Sequence, residues 1–463
     1  MSNFNFYCKK EEISKILKNR ASRVHFVGVG GVGMYSLFML TKKMGHYVSG
    51  SDREPSRFTD KLTQAGEKIC IGHSEDNARG CNLLVYTHAV SNDNPEIKFA
   101  KENGILSVSR AEYLGAVMEN YQIKIGVSGT HGKSTVTAML SRIFEFAGKN
   151  PTTVLGAIVP QTDSPVKIGG EAYFIYEACE YKDSFLNFSP TAAVYTNLEF
   201  DHMDYFKDIE SLESSFIKSM NKADFCIVNT DDERLKSLVP HIKGDVVTYG
   251  VNWNADYRAE IIGVNKGFYS FSVCFNEKKS TAVSLSIPGR FNVLNALGAF
   301  ALANRLGIDE KIISEALSSF RGIERRIERI GDYGNLEVYY DYAHHPTEIE
   351  CTVNTLREMT GGAVYVIFKP HTYSRTAGLF DDFVKALSLA DGVYLCDISA
   401  IREDAIEGIS SEMLAKLIGN KAIRAEDKEI KSIIDSSGIA KENGALIIMG
   451  AANMDCFKKQ FSK

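Results

Sequence analysis

Short apolar runs of strand length, separated by stretches with helical spacing, recur along nearly the whole chain. Val24–Val27, Tyr47–Ser51, Lys68–Ile71, Leu83–Thr87 and Leu106–Val108 read as strands, with Pro95–Asn103 as a helix between the last two. A second set, Ile123–Val127, Tyr173–Tyr176, Ala192–Thr196, Phe225–Val228 and Val246–Tyr249, alternates with helical patterns such as Val136–Phe146. Brief, continuous apolar runs between polar turns suit strands covered on both faces, as in a parallel sheet with crossover helices. Ala259–Ile287 alternates without a long helix and predicts an antiparallel piece, after which Phe291–Leu306 reads as a helix. The last set is Val338–Tyr340, Ala363–Phe368, Gly392–Cys396 and Ala445–Met449.

Two glycine patterns sit at strand-to-helix turns, where backbone N–H groups face phosphate oxygens. Gly28, Gly30 and Gly33 form G-x-G-x-x-G after the first strand, with Gly31 inside it, and Asp52 ends the second strand 24 residues after Gly28. That is the layout of a dinucleotide-type βαβ unit, and NAD, FAD or a UDP-sugar would each present the diphosphate it needs. Gly129, Thr130, His131, Gly132, Lys133, Ser134 and Thr135 follow the strand Ile123–Val127. There Lys133 would reach the outer phosphates and Ser134 would ligate Mg²⁺. The P-loop pattern is incomplete, since Val127 stands where a glycine is usual. The chain therefore reads as α/β with three domains, at 1–120, 121–328 and 329–463. The outer two are Rossmann-like, and the central one is a P-loop ATPase-type parallel sheet with a small antiparallel piece.

A P-loop needs a metal site, and carboxylates at the carboxyl ends of parallel strands face the ligand crevice. Glu177 and Glu180 lie in EACEYKDSF, and Asp201, His202 and Asp204 in NLEFDHMDY. Glu177 could bridge two Mg²⁺ ions with His202 as a nitrogen ligand, against the plainer reading of surface loop residues. Asn292 and Asn295 share a face at a helix start, for capping or for a purine edge. Arg325 and Arg326 are a solvated pair or a phosphate clamp at a domain junction. In DYAHHP, from Asp341 to Pro346, adjacent histidines diverge on an extended chain, so one at most meets a given substrate. Arg375, near Lys369 and His371, sits where a carboxylate could be clamped.

Composition changes little. With 44% apolar and 24% charged residues the chain is globular in type, and a net charge of −5 argues against a protein that coats nucleic acid, while leaving room for a local basic site. Nine cysteines without a CxxC pair suit reduced thiols in a cytoplasmic protein. MSNFNFYCKKEEISK has no basic start followed by an apolar run, so no secretory signal is expected, and no stretch is apolar enough for a membrane span.

Taken together the motifs resemble the Mur ligases over nearly the whole chain. HFVGVGGVGM, GSD, NPE, RAEYL, GTHGKS, EACEYKDSFL, NLEFDHMDY, NTDD, PGRFNVLNAL, ERRIE, DYAHHPTE and PHTYSRT occur in the family's order. The resemblance implies an ATP-dependent ligase joining L-alanine to the carboxylate of UDP-N-acetylmuramate through an acyl phosphate, in peptidoglycan precursor synthesis. It implies Lys133, Glu177, His202, His344 and Arg375 as the catalytic set. Ser134, Glu177 and His202 would hold Mg²⁺, Asn292 and Asn295 adenine, Arg326 a phosphate and Asp341 the ribose. Tyr342, His344 and Arg375 would line the amino-acid site, and Gly28–Gly33, Asp52 and His73 the UDP part. Departures from the family pattern are Thr372 for an arginine, Lys369 for a glutamine, Cys179 for an acid and Ile327 for an aromatic. Among alternatives, a recycling ligase that attaches a murein tripeptide would carry an insert after the central motif, where Phe185–Pro190 runs straight on. An NAD oxidoreductase leaves GTHGKS unexplained, and a non-catalytic sensor of UDP-sugars has no need of Glu177, His202 and Arg375 together. Whether the chain forms homo-oligomers is left open.

Overall fold

In the computed structural model, which describes residues 2–251, 255–275, 278–400 and 403–461, the chain forms three sheets in sequence order. The first contains β1 (Arg23–Val27), β2 (Tyr47–Asp52), β3 (Lys68–Ile71), β4 (Leu83–Tyr86) and β5 (Leu106–Ser109). All its pairs are parallel, in the order β3-β2-β1-β4-β5. The order reverses at β1, so the crevice for a ligand opens at the carboxyl ends of β1 and β4, where Gly28 follows.

The middle sheet contains β6 (Ile123–Ser128), β7 (Thr152–Val159), β8 (Ser164–Lys167), β9 (Tyr173–Glu177) and β10 (Ala192–Tyr195). It continues with β11 (Phe225–Asn229), β12 (Asp245–Gly250), β13 (Tyr257–Asn265), β14 (Phe268–Phe275) and β15 (Lys278–Ser284). Its order is β15-β14-β13-β12-β11-β10-β6-β9-β7-β8, with the P-loop strand β6 among parallel neighbours. Antiparallel pairing was expected only over 259–287, where β13, β14 and β15 provide it. A second antiparallel pair, β7 with β8, closes the opposite edge. Gly156 and Pro165 punctuate that stretch in the sequence, yet an edge strand tolerates both.

The third sheet contains β16 (Glu328–Tyr333), β17 (Leu336–Asp341), β18 (Ala363–Phe368), β19 (Gly392–Leu395), β20 (Ala422–Arg424) and β21 (Gly444–Met449). In the order β16-β17-β21-β18-β19-β20, only β16 runs antiparallel to its neighbour. The apolar pattern missed β16 because ERIGDY is a half-exposed edge, and β20 because it is short. It also missed the helix Ser2–Lys18, whose packed apolar positions among the described side chains are Ile13, Ile16 and Leu17.

The core explains how the domains are joined. Phe26, Phe38 and Tyr113 around the first sheet belong to the same buried cluster as Val154, Phe174, Tyr176 and Phe185 of the middle domain. The third sheet is packed separately, by Val353, Val366, Phe368, Leu395 and Ile447 among others. Among the described residues, no helix is long and apolar enough to cross a membrane.

Candidate active site

The P-loop is shaped by two close approaches. Gly129 has φ 136° and Gly132 φ 83°; an added Cβ would stand 2.1 Å from Thr196 Oγ1 at the first and 2.5 Å from Asn295 Oδ1 at the second. Both positions therefore require glycine. The turn is pinned from the end of β10. Asn197 O accepts from the Thr130 N–H at 3.1 Å, Asn197 Oδ1 accepts from the His131 N–H at 2.7 Å, and Thr196 Oγ1 donates to His131 O at 2.6 Å. The helix begins at Lys133, earlier than the apolar pattern suggested, because the polar Lys133–Thr135 turn faces the site. Among the described residues, the N–H groups of Lys133, Ser134 and Thr135 meet no backbone acceptor, which is the arrangement an anion needs.

Lys133 Nζ lies 3.0 and 3.1 Å from the two carboxylate oxygens of Glu180, which is buried. Burial alone would lower the Lys133 ammonium, but Glu180 outweighs it and keeps the group charged. In the sequence Glu180 carries no assigned role; its spacing three residues after Glu177, on one turn, is the available signal. Glu177 ends β9 and accepts from the Gly156 N–H on β7 while remaining within electrostatic reach of Lys133. His202 has φ 56°, its Nε2 lies 3.6 Å from Glu180, and its ring lies 4.6 Å from that of Tyr181. The direct partner of His202 is thus Glu180, and not the Glu177 with which it was paired from sequence. Cys179, in the same turn, has its thiol raised to about 11 by burial and by Glu180, which leaves it unreactive.

A cavity opens between the P-loop, the helix Phe291–Arg305 and the third domain. Thr135, Asn292, Asn295, Arg326, Asp341 and Glu348 line it. Asn292 is not a helix cap: Arg290 holds that position without a side-chain bond, and Asn292 Nδ2 instead donates to Pro288 O at 2.7 Å. Asn292 Oδ1 accepts from Asn295 at 2.9 Å, so the two amides form one fixed pair on the cavity wall. Asp341 ends β17 and accepts from the N–H groups of Ile327 at 2.7 Å and Ala343 at 2.6 Å. Burial, opposed by Arg326, lifts its carboxyl to about 6. The guanidinium of Arg326 lies over the Tyr342 ring, 5.5 Å from its centre.

The third domain meets the middle one through ionised groups. Glu348 accepts from Arg326 at 3.3 Å and from the His344 N–H at 3.0 Å, and pairs with His131 Nδ1 at 3.2 Å. Burial works against its ionisation, but His344 and His131 hold the carboxyl well below the usual range. Burial would lower His131, yet Glu348 and Glu199 raise it to about 9. Glu199 also accepts from Thr347 Oγ1 at 2.7 Å and lies 3.3 Å from His345, whose imidazole burial and the His131 charge push down to about 4. His344 turns to Glu348 and His345 to Glu199, so the adjacent histidines do diverge. Arg375 is buried and forms a two-point fork on Asp201, at 2.9 and 3.1 Å. Its carboxylate partner is therefore one of the protein's own, and Arg375 holds Asp201 well below its ordinary range against burial.

In the first domain, Gly28 has φ 86° and the Gly30 N–H donates to Asp52 Oδ2 at 2.8 Å. Asp52 thus ties the glycine loop to the end of β2. His73 Nδ1 lies 3.0 Å from Glu96, which is fully buried and also engages His25 at 2.9 Å, Ser51 at 2.7 Å and Asn77 at 3.0 Å. Those partners overcome burial and hold the Glu96 carboxyl at about 2. In the sequence Glu96 stands out only as part of NPE, and nothing in its spacing points to a buried hub.

Three Mur ligase domains match in order: "Mur ligase family, catalytic domain" over 23–122, "Mur ligase middle domain" over 127–303 and "Mur ligase, glutamate ligase domain" over 325–452. The chain belongs to the Mur ligase family. It is 41% identical, over 85% of its length and 87% of the relative's, to a UDP-N-acetylmuramate–L-alanine ligase from Caldicellulosiruptor bescii. It is 40% identical, over 95% and 96%, to one from Clostridium novyi. Among solved structures, a UDP-N-acetylmuramate-alanine ligase from Thermotoga maritima superposes with a TM-score of 0.81 at 30% identity, covering 95% of this chain and 98% of that one. A murein peptide ligase from Psychrobacter arcticus gives 0.73 at 26% identity, with coverage of 95% and 98%.

Proposed function

We propose that the protein joins L-alanine to the lactyl carboxylate of UDP-N-acetylmuramate at the expense of ATP, a cytoplasmic step in making peptidoglycan precursors. The observation that carries this reading is one cavity lined by the glycine loop at His131, Gly132 and Thr135, by Asn292, Asn295 and Arg326, and by Asp341 and Glu348 of the third domain, with Lys133 held charged by Glu180 in the same loop. A free carboxylate is a poor acyl donor. Its oxygen takes the γ-phosphoryl group with loss of ADP, and the amine of L-alanine then displaces phosphate to form the amide.

The domain at 1–120 holds the UDP-sugar on the Gly28–Gly33 loop, with Asp52 fixing the loop and His73 beside it. The domain at 121–328 holds ATP: Gly129–Thr135 take the phosphates, and Asn292 and Asn295 the adenine. Arg326 takes a phosphate, and Asp341 reaches the ribose with the lone pairs its backbone bonds leave over. Lys133 neutralises charge on the transferring group, and Glu180 keeps it protonated and aimed. The domain at 329–463 places Tyr342, His344 and Arg375 about the amino acid.

Ser134, Glu177 and His202 supply hydroxyl, carboxylate and imidazole donors, a set that suits Mg²⁺. Glu177 has one oxygen that accepts from Gly156, and no partner for the other is found among the described residues. These residues would hold the ion, which when bound would neutralise developing charge on the phosphoryl oxygens.

The test is ADP release with ATP, Mg²⁺, UDP-N-acetylmuramate and single amino acids. Release with L-alanine is expected; release only with a murein tripeptide would assign the recycling reaction instead, and none with L-alanine, glycine or L-serine would sink the ligase. Lys133→Ala is expected to remove ADP formation while UDP-sugar binding survives.

A further inference from the structure

Three segments converge on Glu199 where the third domain meets the middle one. His131 Nε2, in the P-loop, lies 3.4 Å from Glu199 Oε2. His345 Nδ1, just before the helix Pro346–Thr360, lies 3.3 Å from the same oxygen. One ligand atom from each of the three residues falls within 4.8 Å of the other two. Two histidines and a glutamate are a donor set that zinc proteins use, and ligands about 2.0–2.1 Å from a tetrahedral ion stand about 3.3 Å apart. Two edges of such a tetrahedron are therefore already in place.

The hydrogen-bond pattern suits a cation there. His345 Nδ1 accepts from the Thr347 N–H at 3.3 Å, so it carries no proton towards Glu199. An imidazole lone pair and a carboxylate oxygen thus face each other, which is unfavourable until a positive charge stands between them. Burial and the His131 charge hold the His345 imidazole at about 4, so the ring is neutral, the form that binds metal. Its other nitrogen, Nε2, is buried and meets no partner among the described residues. Across the site, Glu348 pairs with His131 Nδ1 at 3.2 Å. That is the outer-shell carboxylate that orients a ligating imidazole and leaves Nε2 to the ion. Thr347 Oγ1 orients Glu199 in the same way, donating to it at 2.7 Å. His131 gives up its Nε2 proton to solvent as the ion enters.

We propose that His131, Glu199 and His345 form a site for a divalent transition-metal ion of the Zn²⁺ class, which pins the third domain to the middle one. Two imidazole nitrogens in tetrahedral array select against Mg²⁺, which takes oxygen ligands in octahedral geometry. The site shares no residue with Ser134, Glu177 and His202. Its test needs no turnover, so its failure leaves the ligase reading untouched.

The experiment titrates Zn²⁺ alone into the full chain, stripped of metal and without nucleotide, in competition with a chromophoric chelator. It compares wild type, His345→Gln, Glu199→Gln and His202→Gln, and Tm in excess chelator checks that each is folded; should one ligand variant prove unfolded, the other decides. Wild type is expected to take up one Zn²⁺ that a large excess of Mg²⁺ does not displace, and to gain Tm with it. His345→Gln and Glu199→Gln should each bind at least about 100-fold more weakly, since loss of even an outer-shell partner costs about 10- to 100-fold. His202→Gln should bind Zn²⁺ as wild type does. Co²⁺ in the same site should show the visible bands of a tetrahedral ion with nitrogen and oxygen ligands. No Zn²⁺ uptake by wild type, or affinity unchanged in either His345→Gln or Glu199→Gln, overturns the proposal. So does uptake that Mg²⁺ abolishes or that His202→Gln weakens equally, which would place the ion at Ser134, Glu177 and His202. A sulfur-to-cobalt charge-transfer band would place it on the cysteines and overturn the proposal as well.

Discussion

The two joints between the domains are built from opposite materials. At the first, one apolar cluster runs from Phe26 and Tyr113 into Phe174, Tyr176 and Phe185, and a helix glycine lies against backbone. At the second, the contacts are His131 with Glu348, Thr347 and His345 with Glu199, and Arg375 with Asp201. Opening an apolar joint exposes surface that water penalises in proportion to its area. Opening an ionic joint returns charges to water, which solvates them, so its net free energy is small. The first joint therefore fixes a geometry, and the second can close and open in a catalytic cycle while remaining specific about how it closes.

The largest effect should come from emptying the first joint. Phe185 is buried against Phe216, with ring centres 5.4 Å apart. Phe185→Ala should cost about 3–5 kcal/mol, read as a lower midpoint in urea with the first and middle domains still unfolding together. A separate early transition of the first domain would mean that the apolar cluster does not couple the two.

At the second joint the damage should fall on activity. Glu348→Gln leaves His131 and Arg326 without their shared anion, and truncating one partner of a buried charge pair costs about 2–5 kcal/mol while the joint stays shut. Because the joint can open, most of that cost should appear as a loss of roughly a hundredfold in kcat/KM for ATP, with the urea midpoint nearly unmoved. A large fall in midpoint without a change in kcat/KM would reverse the contrast.

The same joint should respond to pH at both ends. His131 has its folded value raised to about 9, above the ordinary 6.5, so its contribution is complete below about 6.5 and lost as the pH rises through 9. Glu348 and Asp201 are shifted down, so their contribution is present above the ordinary carboxylate range and fades as the pH falls. Small-angle scattering with nucleotide bound should show the third domain loosening from pH 7 to 10. His131→Asn should flatten that alkaline change and leave the acid one in place. An alkaline response that persists in His131→Asn would assign it to another group.

The contrast between the joints also marks what could be read from sequence. Parallel strands such as β6, β18 and β21 were legible because both of their faces are covered, so their apolar runs are continuous. The edge strands β8, β16 and β20 were not, since half-exposure and a proline mask the pattern. The two glycine loops were legible because backbone geometry demands glycine at fixed positions, as at Gly28, Gly129 and Gly132. Glu180, Glu199 and Glu348 were not assigned, because a carboxylate's partner depends on which distant segments meet. The Asp201–Arg375 fork joins residues 174 apart in the chain, and no local spacing encodes it.

The smallest effect is expected at the rim of the first joint, and it separates contact from energy. Arg57 pairs with Glu324 and with Asp163, and Lys61 also reaches Asp163, so ion pairs do cross between the domains there. Arg57 keeps 44% of its side-chain surface in water and Asp163 54%. Charges so exposed trade attraction for hydration and side-chain freedom, and such pairs contribute about 0.2–1 kcal/mol. Arg57→Ala should therefore move the urea midpoint barely beyond error, and added salt should change wild type and variant alike. If Arg57→Ala instead approached the cost of Phe185→Ala, the first joint would be held by its charged rim as well. The distinction between a joint that stays shut through apolar burial and one that opens through its ions would then fail at its simpler side.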